Sequence, residues 1–73
     1  RLNYNARMQI LLNGQTIDLP GSISLAQLLE QHGYAQRRVA VEVNRSIVPK
    51  SRHLEHMLGE GDKVEIVHAL GGG

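Results

Sequence analysis

Two stretches of apolar–polar alternation stand at opposite ends of the chain, and one helix signal stands between them. At the first, Met8, Ile10 and Leu12 share one face while Gln9, Leu11 and Asn13 share the other. At the second, over residues 63–68, Val64 and Ile66 face one way and Glu65 and Val67 the other. A period of two marks a strand with one buried side. If these strands are neighbours, the connection between them makes them parallel and calls for a crossover, with the helix covering one sheet face. The pattern therefore predicts an α+β chain with a mixed sheet of four to five strands around one helix. The element order is β-β-α-β-β-(short helical turn)-β.

The segments between fill in this outline. Asn13-Gly14 follows the first strand, and both residues tolerate the positive φ that a two-residue hairpin turn requires. In the second strand Ile17 and Leu19 face inward and Thr16 and Asp18 outward, until Pro20-Gly21 ends it. Ser24 and Gln27 have the spacing of a capping box, with Ile23 and Leu28 placed as a hydrophobic staple. Leu25, Leu28 and Leu29 make one apolar stripe on a helix from Leu25 to His32, stopped by Gly33 in a left-handed conformation. Val39, Val41 and Val43 alternate with Arg38, Ala40 and Glu42 in a third strand, which turns at Asn44-Arg45 into a short strand at Ile47-Val48 that Pro49 ends. Ser51 is expected to cap a brief helical turn carrying Leu54 and Leu58. Residues 59–62, Gly-Glu-Gly-Asp, read as a tight turn before the last strand.

With 73 residues the chain holds one domain at most. A domain this small leaves little room for both a core and an enclosed active site, which favours a carrier or binding module over a free-standing enzyme. Residues 1–7 lack periodicity and precede Met8; they are set apart as an extension or expression remnant, expected to be disordered. The folded domain is placed over residues 8–68 and a tail over residues 69–73.

Net charge is +1, the cations form no dense run, and Trp and Phe are absent. A nucleic-acid binder needs a basic stripe, and a single-strand binder needs aromatic platforms as well, so nucleic acid is not expected as a partner. The chain has no cysteine, which removes disulfides, thiolate metal sites and cysteine nucleophiles and fits a reducing compartment. No run of about 18 apolar residues suggests a membrane span, and the start has no apolar leader core. The reading is a cytoplasmic monomer without a membrane partner.

Candidate catalytic and metal sites are weak. His53 and His56 are three apart and can meet on one helical turn, but without a further ligand they read as a solvated polar face. Ser51 beside His53 has no orienting acid or oxyanion donors. Glu60 and Asp62 read as turn chemistry, and Glu42 and Glu65 as solvated or partner-facing strand positions. Leu11, Ala40 and Val67 fall on the register opposite the core and would make an exposed apolar patch if their strands are neighbours. Ala69 and Leu70 lead directly into the glycines.

The chain ends Ala69-Leu70-Gly71-Gly72-Gly73. Glycine lacks Cβ, so such a segment can enter a narrow channel and approach a phosphate closely. Val39-Ala40-Val41-Glu42-Val43-Asn44, Ile47-Val48-Pro49, Gly61-Asp62-Lys63-Val64-Glu65-Ile66-Val67 and this tail, with the opening Met8-Gln9-Ile10-Leu11-Leu12-Asn13-Gly14, resemble the ThiS family over essentially all of residues 8–73. That family comprises ubiquitin-like sulfur carriers of the β-grasp fold, which serve thiamine biosynthesis. Asn44-Arg45 departs from the Asn-Gly common at that turn. The resemblance implies that Gly73 is the modified residue and that Gly71 and Gly72 thread into partner enzymes, with Val67, Ala69 and Leu70 as partner-binding residues. It implies an E1-like adenylating enzyme (ThiF type) that uses ATP and Mg²⁺ while the carrier itself binds no cofactor, a persulfide donor derived from a cysteine desulfurase, and thiazole synthase (ThiG type) as acceptor of the thiocarboxylate. A molybdopterin synthase small subunit, a ubiquitin-like protein modifier and a plain β-grasp binding module are the alternatives. A proline pair commonly precedes the last glycines of the molybdopterin carriers, where this chain has Ala69-Leu70.

Overall fold

The computed structural model describes residues 7–68. Strands β1 (Met8–Leu12), β2 (Gln15–Leu19), β3 (Val39–Val43), β4 (Ser46–Ile47) and β5 (Lys63–His68) form one sheet in the order β2-β1-β5-β3-β4. The two end strands are the central pair and run parallel, with Leu11 opposite Lys63 and Leu12 opposite Val64. The other pairings are antiparallel.

Helix α1 (Leu25–Gln31) covers one sheet face. Its Leu25, Leu28 and Leu29 are buried in one cluster with Ile10, Leu12, Leu19, Val41, Val43, Val64 and Ile66, so the inward sides of β1, β2, β3 and β5 are those the alternation marks. Burying each such side chain contributes about 1.5–3 kcal/mol. Ile23 and Tyr34, at either end of the helix, are partly buried against the same cluster.

A seven-residue helix does not persist alone. Every early amide of α1 has a named acceptor. Leu25 N donates to the His56 carbonyl at 2.8 Å and Ala26 N to the His53 carbonyl at 2.9 Å. Gln27 N donates to Ser24 Oγ at 3.1 Å, while Ser24 N donates to Gln27 Oε1 at 2.9 Å, completing the capping box. Leu28 N donates to the Ser24 carbonyl at 3.0 Å. At the other end Gly33 has φ +83°, with Gly33 N donating to Glu30 O and Tyr34 N to Leu29 O at 2.8 Å. These are the paired bonds of a Schellman motif.

The segment after β4 departs from expectation. A 3₁₀ turn runs Lys50–Arg52 with Pro49 at its N-cap and no side-chain cap, so Ser51 lies inside the turn rather than ahead of it. Leu58 is buried, but Leu54 is 83% exposed. The expected helix would have put both on one face; one 3₁₀ turn, with its threefold period, does not carry the alignment that far. The short strand is Ser46–Ile47, and it is Val48, just beyond it, that is buried. His53, read from sequence as part of a solvated face, is only 7% exposed, and its Nε2 donates to the Val48 carbonyl at 2.9 Å. A carbonyl can only accept, so Nε2 carries the proton.

Candidate functional site

The residues of interest converge on the end of β5. Its first half is gripped on both sides. On the β1 side, Asn13 N donates to Val64 O at 2.9 Å, and Ile66 N donates to the Asn13 side-chain oxygen at 2.7 Å. The hairpin turn residue thus carries the β1–β5 ladder past the end of β1. On the β3 side, Asn44 N donates to Lys63 O at 2.8 Å and Lys63 N to Asn44 Oδ1 at 3.0 Å, while Asn44 Nδ2 donates to Asp62 Oδ1 at 3.0 Å. The other Asp62 oxygen accepts from Gly59 N at 2.8 Å, closing the 59–62 turn. Both asparagines have positive φ, +51° and +53°, and both side-chain oxygens accept from β5 amides.

The far half of β5 is held by β3, with Ala40 opposite Val67 and Val39 opposite His68. Val67 is 59% exposed and faces outward beside the exposed Ala40. The His68 ring lies 6.1 Å from the Tyr34 ring, tilted by 55°. The described part of the strand therefore ends beside an exposed apolar pair. Gly71, Gly72, Gly73, Ala69 and Leu70, the other residues singled out from sequence, lie outside the described residues.

The predicted trio on the open face does not form one patch. Leu11 is opposite Lys63, at the start of β5. Four residues of parallel strand, about 13 Å, separate that level from Val67. Between them lie Lys63 and Glu65, whose Nζ and Oε2 are 3.7 Å apart, and Glu42 directly opposite Glu65. The alternation placed all three residues on the correct face; the spacing along β5 divides Leu11 from the other two.

Among the described residues no group of three or more His, Cys, Asp or Glu side chains could hold a metal ion, and no helix is long and apolar enough to cross a membrane. What the arrangement offers is a surface around a strand end. The asparagine clamps escaped the sequence reading, which saw them as turn formers; the one available signal was that both turns open with Asn.

The ThiS family model matches residues 2–73. The chain belongs to the ThiS family. It is 32% identical to the sulfur carrier protein ThiS of Escherichia coli over 90% of its own length and 100% of that protein's. The solved structure of the thiamine biosynthesis protein ThiS from Geobacter metallireducens superposes with a TM-score of 0.79 at 29% identity, covering 90% of this chain and 100% of that one. The β-grasp fold is thus common to this member of the ThiS family and its structural neighbour. A third relative, the thiazole synthase of Paramagnetospirillum magneticum, is 41% identical over 90% of this chain, which spans 20% of that protein's length. The chain likewise spans 20% of the thiazole synthase of Magnetococcus marinus.

Proposed function

We propose that this chain is a sulfur carrier in the formation of the thiazole of thiamine and that its working group is the carboxylate of Gly73. The observation that carries this reading is the family match through the glycines, reinforced by a ThiS relative that the alignment covers from end to end. A carboxylate is a poor electrophile and must be activated. An adenylating partner would bring ATP and Mg²⁺; a Gly73 carboxylate oxygen attacks the α-phosphorus, pyrophosphate leaves, and an acyl-adenylate results. A persulfide sulfur then displaces AMP at the carbonyl carbon, and cleavage of the remaining S–S bond by a thiol leaves the thiocarboxylate. The chain has no thiol, so in this scheme sulfur travels on the terminal carbonyl and the partners hold the reactive groups. The protein is a carrier rather than a catalyst.

Thiazole synthase is the proposed acceptor. Two relatives of that name carry the matching stretch within a longer polypeptide, and a covalent union of two segments is economical when they act together. Val67 and Ala40, beside the strand exit, are the proposed contact for the adenylating partner, with Ala69 and Leu70 leading the tail toward its nucleotide.

The test is intact mass spectrometry of the protein from its native host, together with thiazole feeding of a deletion strain. The expected result is Gly73 as the terminal residue, with one oxygen replaced by sulfur, and growth restored by thiazole. Loss of molybdoenzyme activity with normal thiamine supply would transfer the reading to the pterin pathway. A chain that continues past Gly73 would refute the free carboxylate. Deleting Gly72 and Gly73 is expected to abolish partner-dependent pyrophosphate release while leaving the melting temperature unchanged.

A further inference from the structure

On the helix side, away from the open sheet face, two adjoining hollows of about 280 and 200 Å³ share Leu29, Ala35, Lys50 and His53 and form one groove between the end of α1, the loop after it and the 3₁₀ turn. Its apolar surface is aliphatic: Ala26, Leu29, Ala35 and the 83% exposed Leu54. Its rim is cationic, with Arg37, Arg38 and Lys50 along one hollow and the partly buried Tyr34 beside them. No carboxylate lines either hollow. The salt bridges among the described residues, Arg52–Glu55 and Lys63–Glu65, involve none of the three cations.

Three exposed cations thus stand beside an apolar surface with no carboxylate in the lining. The charge pattern calls for an anionic occupant, and the aliphatic floor calls for an aliphatic side chain on it. Nucleic acid fits poorly, because the floor offers bases no stacking platform beyond Tyr34. A small inorganic anion would leave the floor uncovered. We propose that this groove docks an acidic segment of a partner protein, one carrying a large aliphatic side chain among carboxylates: the side chain seats over Leu29, Ala35 and Leu54, and the carboxylates pair with Arg37, Arg38 and Lys50. The groove reaches Tyr34 and Val39, which adjoin His68 across the β3–β5 pair. A partner held there is therefore beside the strand exit and leaves Ala40 and Val67 uncovered on the opposite face. The proposal concerns the folded domain and stands whether or not Gly73 carries sulfur.

The test is an amide-shift titration of the ¹⁵N-labelled full chain with a synthetic acidic peptide centred on one leucine. Two control peptides accompany it, one with the leucine replaced by serine and one with every acid replaced by its amide; inorganic phosphate is a third control. The expected result is saturable shifts at Leu29, Ala35, Arg37, Arg38 and Lys50, lost with both control peptides. The double variant Arg37→Gln with Lys50→Gln, both exposed positions, should weaken binding about tenfold, as two partly screened ion pairs would, at unchanged melting temperature. Shifts confined to Ala40 and Val67 would overturn the proposal. So would equal binding of the serine peptide or the same shifts from phosphate alone, since either reduces the groove to a general anion patch. Binding that emerges only after deletion of residues 69–73 would also overturn it, because the chain's own tail would then be the occupant.

Discussion

Asn13 helps to place β5, and its replacement by alanine separates two effects. The first is the bond from Ile66 N to the Asn13 side-chain oxygen, 2.7 Å long and partly buried. Removing the acceptor leaves a strand amide unpaired at a cost of about 1–3 kcal/mol. The second is backbone strain: Asn13 has φ +51°, and a residue with a Cβ but no local polar group loses about 1 kcal/mol or more there. Asn13→Ala should therefore cost about 2–4 kcal/mol. A domain of this size holds about 4–11 kcal/mol in total, so the loss is a large share of stability. At about 4–8 °C per kcal/mol it should lower the melting temperature by about 8 °C or more. Asn13→Gly removes the acceptor but relieves the strain and should fall between alanine and the parent. Asn13→Asp keeps an acceptor and tolerates the conformation, and should stay close to the parent. Urea denaturation of the three variants, with hydrogen exchange read at the Ile66 amide, measures each effect. Equal stability of glycine variant and parent, with Ile66 still protected, would refute the clamp. Equal stability of alanine and glycine variants would refute the strain.

Three other outcomes are expected. Ser24→Ala removes the oxygen that accepts from Gln27 N and should cost about 1 kcal/mol by chemical denaturation, with activity per folded molecule unchanged. Arg45 sits at φ +72° in a turn whose two central residues both have positive φ; Arg45→Gly should raise stability by about 0.5–1 kcal/mol, seen as a higher denaturation midpoint. Val67 is exposed beside Ala40, so Val67→Asp should raise the KM of the adenylating partner severalfold at an unchanged melting temperature, and an unchanged KM would remove Val67 from the proposed contact.

The strands, the hairpin and the helix were legible because each rests on local chemistry. Alternation named the inward residues of β1, β2, β3 and β5, and the Ser24–Gln27 spacing identified a cap that the structure shows in full. The short helical turn after Pro49 and the inward Leu58 were legible, but the turn's cap and the placement of His53 and Leu54 were not, because the conformation there is decided from outside. The carbonyls of His53 and His56 are held by the first amides of α1, and Leu58 N by the Ile23 carbonyl. His53 is turned inward by the carbonyl of Val48. None of these partners is implied by the local sequence, so Ser51 looked like a cap and His53 like a surface residue. Leu11, Ala40 and Val67 were assigned to the right face, but period two says nothing of position along a neighbouring strand, and the β1–β5 register puts Leu11 at the wrong end.

That register also separates what holds the fold from the proposed partner contact. Both asparagine clamps grip β5 over residues 63–66, while beyond Ile66 the described pairing is with β3. The strand is buried at Val64 and Ile66, and its last two residues are exposed. Changes at Asn13 and Asn44 should therefore act on stability, and changes at Ala40 and Val67 on partner affinity, with little crossing between the two. The middle of the open face reinforces the division. Glu42 and Glu65 stand directly opposite, an arrangement of like charges that weakens a sheet, offset in part by Lys63 3.7 Å from Glu65. A polar band of this kind separates Leu11 from the exit, while the exposed Ile47 lies opposite Glu42 on the β4 side of the same face.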